Sequence, residues 1–133
     1  MIPRPPVGHL WHVALHCTDL ERMERFYVDV MGFLIEWKPD PDNVYLTTGR
    51  DNLALHTRPA PPGGAADTRL AHIGLMVASA DDVDAWAEYL GKHGVTIDTV
   101  PRTHRDGARS LYFRDPEGNS VQIIHHPPLA QYV

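Results

Sequence analysis

The 133-residue chain has one cysteine, Cys17, so no intrachain disulfide can form. A lone thiol in a strand-like stretch reads as a buried structural group and fits a reducing compartment. No apolar run approaches the ~20 residues of a membrane-spanning helix, so no membrane partner is expected. There is no Lys/Arg cluster, and 17 acidic against 12 basic side chains leave a net charge of −5. That balance argues against a nucleic-acid surface. The opening residues, Met-Ile-Pro-Arg-Pro-Pro, lack the charged-then-apolar build of a secretion signal, and a cytoplasmic location is expected. Histidine is what the chain has in excess. Nine imidazoles point towards metal or acid–base chemistry on a small molecule.

Two of them share a local pattern. Residues 10–15 read Leu-Trp-His-Val-Ala-Leu and residues 70–75 read Leu-Ala-His-Ile-Gly-Leu, so His12 and His72 stand at equivalent points sixty positions apart. After each strand comes a polar turn and an amphipathic run. Thr18-Asp19-Leu20-Glu21 reads as a capping box, followed by a stripe of Met23, Phe26, Tyr27 and Val30 that Gly32 ends. Ser79 opens the second helix, with Val83, Trp86, Ala87 and Leu90 as its stripe and Gly91 closing it. Short extended runs follow near 33–38, 43–48 and 52–57 in the first half, and near 95–100, 109–114 and 120–126 in the second. Each half is therefore βαβββ: module one over 8–57, a Pro/Gly-rich linker over 58–69, and module two over 70–127, within one domain spanning 1–133. One such half is too small to cover both faces of its sheet. The expected fold is α+β, with the two modules forming a curved eight-stranded mixed sheet and helices on its convex side.

Period-2 counting then sorts side chains between the two faces. His12, Ala14, His16, Asn52, Ala54, His56, His72, Gly74, Met76, Ser110, Tyr112, Arg114, Ser120 and Gln122 fall on the concave face. Val13, Leu15, Leu53, Leu55, Ile73, Leu75, Leu111, Phe113, Val121 and Ile123 fall on the helix-packed face. A polar, histidine-bearing concavity is where a small-molecule pocket is expected. Trp11 and Trp86 read as core, Trp37 as an aromatic wall or subunit contact, and His125 and His126 as terminal surface residues. His16 lies ~13 Å along the strand from His12, too far to share an ion, and reads as a pocket wall or surface residue.

The stretches His12-Val-Ala-Leu-His-Cys-Thr-Asp19, Phe26-Tyr27-x4-Gly32-Phe33, Ala71-His72-Ile-Gly-Leu-Met-Val and Tyr112-Phe-Arg-Asp-Pro-Glu-Gly-Asn-x2-Gln122 resemble the vicinal oxygen chelate superfamily of glyoxalases, bleomycin-resistance proteins and extradiol dioxygenases. The resemblance implies one divalent ion (Fe2+, Mn2+, Zn2+ or Ni2+) held on the concave face by His12, His72 and Gln122, with His56 as an additional candidate ligand. Gln122 stands where the family usually has glutamate. An uncharged amide binds a divalent cation more weakly than a carboxylate and cannot act as a base. Ala54 falls at the matching position of module one, where three-ligand members have no ligand. Tyr112 stands where family members place a substrate-contacting group and is a candidate catalytic residue, a structural use of its hydroxyl being the alternative. His104, in the loop of residues 101–109, reads either as a catalytic acid–base group or as a plain surface-loop residue. His56, Ser110, Tyr112, Asn52 and Met76 are the implied substrate pocket.

Two functions follow from the resemblance. One is a metal-dependent enzyme that chelates a small substrate through vicinal oxygens, of dioxygenase, lyase or transferase type. The other is a metal-free protein of the antibiotic-resistance kind, holding a ligand in the same concavity. A homodimer is expected in either case.

Overall fold

The computed structural model describes residues 2–6, 9–60 and 70–133. The chain divides into two compact units, Met1–Ala60 and Pro61–Val133. Residues 61–69 of the expected linker lie outside the described residues.

In the first unit, strand β1 (His12–Cys17) leads into helix α1 (Leu20–Arg25), which continues as a turn of π-helix over Phe26–Val30. Strands β2 (Leu34–Asp40), β3 (Asn43–Thr47) and β4 (Asn52–Thr57) complete it. The sheet order is β1-β4-β3-β2, with β1 parallel to β4 and the other pairs antiparallel. The second unit repeats the scheme with β5 (Ile73–Met76), α2 (Ala80–Lys92), β6 (Ile97–Thr103), β7 (Arg109–Arg114) and β8 (Ser120–His125), ordered β5-β8-β7-β6. A short 3-10 helix, Pro127–Tyr132, follows. Both modules are βαβββ as the periodicity predicts. Strand pairing gives two four-stranded mixed sheets; a single eight-stranded sheet is not shown.

Of the residues assigned to the packed face, seven are buried and Val13, Ile73 and Leu75 are half-buried, while Ala54, Ser110 and Gln122 of the opposite face are buried as well. Leu15, Val44, Leu46, Leu53 and Leu55 lie buried in the first unit, where α1 packs on β4. Leu111, Phe113, Val121 and Ile123 lie buried in the second, where α2 packs on β6, β7 and β8. Cys17 is buried, its thiol directed at the His56 carbonyl 3.6 Å away.

Several local expectations are corrected. The cap of α1 is Asp19, not Thr18: its carboxylate accepts from the Arg22 N–H at 3.1 Å, a stronger acceptor for the orphan donors of a first turn. Helix α2 runs through Gly91, and the left-handed residue beyond it is Gly94, at φ 71°. Its N-terminus carries a complete capping box between Ser79 and Asp82. Trp11 is not core. It precedes the first residue of β1 and is 59% exposed. His125 is the last residue of β8, as expected, but is half-buried, pairing with Arg109 of β7, and its Nδ1 is buried without a hydrogen-bond partner among the described residues.

A bidentate ion pair pins α2 to β7. The Arg109 guanidinium donates to Asp84 at 2.6 and 3.0 Å and also to Thr103 at 3.0 Å. These hydrogen bonds, against some desolvation, hold the Asp84 carboxyl below its ordinary range and Arg109 above its own. A carboxyl whose folded pKa is depressed stabilises the fold above its unfolded value of ~3.9, and the effect is lost as pH falls through the folded pKa. Wild type is therefore expected to be more stable than Asp84→Asn at pH 7, with the gap closing below about pH 4. Paired thermal melts from neutral pH into strong acid check this; a gap that persists unchanged at the acid end would assign it to packing.

Candidate functional site

In the first module the register sets His12 beside Asn52, Ala14 beside Ala54 and His16 beside His56. Paired residues on neighbouring strands share a face, so all six line one side of the sheet, opposite α1. His12 Nδ1 lies 2.7 Å from Asn52 Oδ1, and the Asn52 amide nitrogen donates in turn to the Glu36 carboxylate. A carboxylate can only accept, so it fixes which end of the amide faces the histidine. The amide oxygen then requires a proton on Nδ1. The Nε2 lone pair of a neutral His12 is left to point elsewhere, as in a metal-binding imidazole.

His56 is prepared in the same way. Its Nδ1 lies 2.6 Å from Asn43 Oδ1, and the Asn43 amide donates to both oxygens of Asp40 at 3.0 and 3.2 Å. The Tyr45 ring meets the His56 ring edge-on at 5.7 Å, and Trp37 stacks on Tyr45 at 5.2 Å. Glu36, Asp40, Asn43 and Tyr45 were outside the site expected from sequence. The signal for two of them was present, because Asn43 and Tyr45 alternate in the same phase as the site residues of the adjacent strand.

In the second module Gly74 pairs with Gln122, two residues beyond His72, just as Ala14 pairs with Ala54 two residues beyond His12. Ala54 and Gln122 are thus structurally equivalent. Each is buried, and each faces a tyrosine across the next ladder: Tyr45 for Ala54 and Tyr112 for Gln122. The Gln122 amide nitrogen donates to the Tyr112 hydroxyl at 2.8 Å, which leaves Oε1 as the atom Gln122 can offer to a cation. His72, exposed ahead of β5, meets the Tyr112 ring edge-on at 5.2 Å. Three expected residues, His72, Tyr112 and Gln122, therefore form one connected cluster.

His104 Nε2 lies 2.8 Å from the Ser110 hydroxyl. Ser110 is only 2% exposed, so His104, and not Ser110, is the group of this pair that meets solvent. The loop holding His104 is closed by its backbone bonds with Ala108 and Gly107, and by the Asp106 carboxylate accepting from Ala108. Met76 is half-buried at the end of β5, beside Ile124. Among the described residues, no three or more His, Cys, Asp or Glu side chains form a ready-made metal cluster. Such a cluster is not what two imidazoles and an amide would make.

The family model described as the Glyoxalase/Bleomycin resistance protein/Dioxygenase superfamily matches residues 9–123. The chain belongs to this superfamily. Its relatives include biphenyl-2,3-diol 1,2-dioxygenase 3 from Rhodococcus globerulus, 32% identical over 133 aligned positions covering 86% of this chain and 61% of that enzyme. The chain thus spans about three-fifths of that relative. Metallothiol transferase FosB from Staphylococcus epidermidis is 26% identical over 84% of this chain and 78% of its own. Among solved structures, a lactoylglutathione lyase from Agrobacterium tumefaciens aligns with a TM-score of 0.75 and 25% identity, over 91% of this chain and 96% of that one. The lyase structure shares this chain's fold, while the three names describe three different reactions. No helix among the described residues is long and apolar enough to cross a membrane.

Proposed function

We propose that this superfamily member is a divalent-metal-dependent enzyme that takes a small substrate through two neighbouring oxygens. In this reading His12, His72 and Gln122 hold one ion, drawing on both modules within one chain or across a homodimer in the cytoplasm. The observation that carries it is the His12–Asn52–Glu36 chain, which commits Nδ1 and leaves Nε2 available, the usual arrangement behind a metal-binding histidine. The Gln122 amide, turned with its nitrogen to Tyr112, presents an oxygen. The donor set therefore fits an ion of borderline character.

When bound, such an ion supplies Lewis-acid stabilisation of negative charge developing on substrate oxygens. The chain's own residues do the rest. Tyr112 accepts from Gln122 and so keeps its own proton to donate to a substrate oxyanion. His104, with one ring nitrogen on Ser110, can move a proton through the other. Gln122 cannot be a base, which places any proton abstraction on His104. His56, Asn52 and Met76 line the substrate side, and the absence of a donor at Ala54 favours the dioxygenase- and transferase-type arrangements over the four-ligand one.

The neutral Gln122 also favours a second reading, a metal-free protein that holds a small ligand on the same face. Elemental analysis of protein purified without immobilised nickel separates the two. Near-stoichiometric metal that His12→Ala and His72→Ala each lose supports the enzyme; no metal, with no uptake of added Fe2+, Mn2+, Zn2+ or Ni2+, leaves the binding protein. Gln122→Glu is expected to raise metal affinity about tenfold or more, because a carboxylate compensates the ion's charge and can still accept from Tyr112. Isothermal titration of both proteins with one ion measures the ratio.

A further inference from the structure

We propose a second metal-binding site within module one, formed by His16 and His56, that takes a nitrogen-preferring divalent transition-metal ion such as Cu2+. It uses none of His12, His72 and Gln122; His56, which lines the substrate side in the proposed function, is here a ligand in its own right. The two residues are register partners on the parallel strands β1 and β4, and so lie side by side on one face with backbones ~4.8 Å apart. Two imidazoles sharing an ion at ~2.0–2.1 Å each need ring nitrogens only ~3 Å apart, well within the reach of adjacent side chains.

The tautomer needed for binding is already set at His56. The Asp40 carboxylate orients the Asn43 amide, whose oxygen takes the His56 Nδ1 proton and leaves Nε2 free. This is the arrangement found at His12, built a second time from different residues, and a lone surface histidine has no use for it. His16 is exposed and forms no hydrogen bond through either ring nitrogen among the described residues, so its rotamer is free to follow an ion. Cys17 cannot supply the third ligand, because its side chain lies on the opposite, buried face. Tyr45 and Trp37 wall one side of the site, and water or an exogenous ligand fills the remaining positions. His12 and Asn52 lie ~13 Å back along the same strands, which separates this site from theirs.

The test titrates metal-stripped, untagged protein with Cu2+ by equilibrium dialysis, and reads nitrogen coupling in the low-temperature EPR spectrum. Wild type is expected to show a binding class with two-nitrogen coupling that His16→Ala and His56→Ala each weaken at least tenfold. Asn43→Ala is expected to weaken it about tenfold by releasing the tautomer. His12→Ala and His72→Ala should leave this class intact. Should they instead remove a different ion class, the proposed function gains support; should wild type hold only the His16/His56 class, the proposed function fails while this site stands. A class that survives His16→Ala, or that is lost equally in the His125→Ala/His126→Ala double variant, overturns the site. His16 is exposed, so its variant remains decisive even where His56→Ala disturbs folding.

Discussion

Alanine at His72 or at His12 is expected to remove the divalent ion of the proposed site, lowering its affinity by at least about a hundredfold. Groups that hydrogen-bond to a metal ligand are worth about 10–100-fold in affinity, and a ligand itself should be worth more. The expectation rests on how few donors the proposed set has. With an uncharged amide as the third ligand and no donor at Ala54, removal of either imidazole leaves one nitrogen and one weak oxygen. Asn52→Ala leaves the ring in place but frees its tautomer, so about a tenfold loss is expected, well short of the His12→Ala effect. Dialysis of each variant against a metal-buffered series, with elemental analysis, gives the ranking. Equal metal content in wild type and both histidine variants would refute the ligand assignment. A loss in Asn52→Ala matching that in His12→Ala would show instead that Asn52 is itself a ligand.

Phe113→Ala is expected to destabilise the protein by about 3–5 kcal/mol, the usual cost of emptying a buried aromatic site. Phe113 is fully buried, one residue from the end of β7, paired with Ile97 on one side and Val121 on the other. Helix α2 packs over these strands, so the cavity has rigid walls and little freedom to collapse. Domains of this size hold ~5–15 kcal/mol in total, so a loss of this size takes a large share of the stability. The functional consequence follows from position. Tyr112 precedes Phe113 on the same strand and faces the other way, so loosening β7 loosens the Tyr112–Gln122 pair as well. Chemical denaturation gives the free energy, and Phe113→Leu should cost much less because it refills most of the volume. A Phe113→Ala loss below about 1 kcal/mol would mean that the second module's core is not organised around this ring.

Much of the fold was legible because strand and helix periods are local properties of the chain. Alternation around His12, His72, Leu53 and Leu111 assigned buried and exposed faces without any knowledge of pairing, and the burial of Leu53, Leu55, Leu111 and Phe113 agrees. The equivalence of Ala54 and Gln122 came from the family resemblance, and the ladder registers repeat it. Helix ends were less legible. Thr18 and Asp19 are both competent caps, and one residue of slippage decides between them. Trp11 shows the complementary failure: its phase was right for the core, but it stands where the paired part of β1 has yet to begin.

By itself the sequence determined the two βαβββ modules and the equivalent places of His12 and His72 at the head of each, because these depend on spacing along one chain. Only the tertiary structure decided what stands behind each imidazole. Asn52 with Glu36, and Asn43 with Asp40, are brought to their histidines by strand pairing, and their amides are oriented by carboxylates that no spacing rule selects. The pairing of His16 with His56 has the same origin. A parallel ladder brings residues forty positions apart to adjacent places, and its register is fixed by the packing of the opposite face.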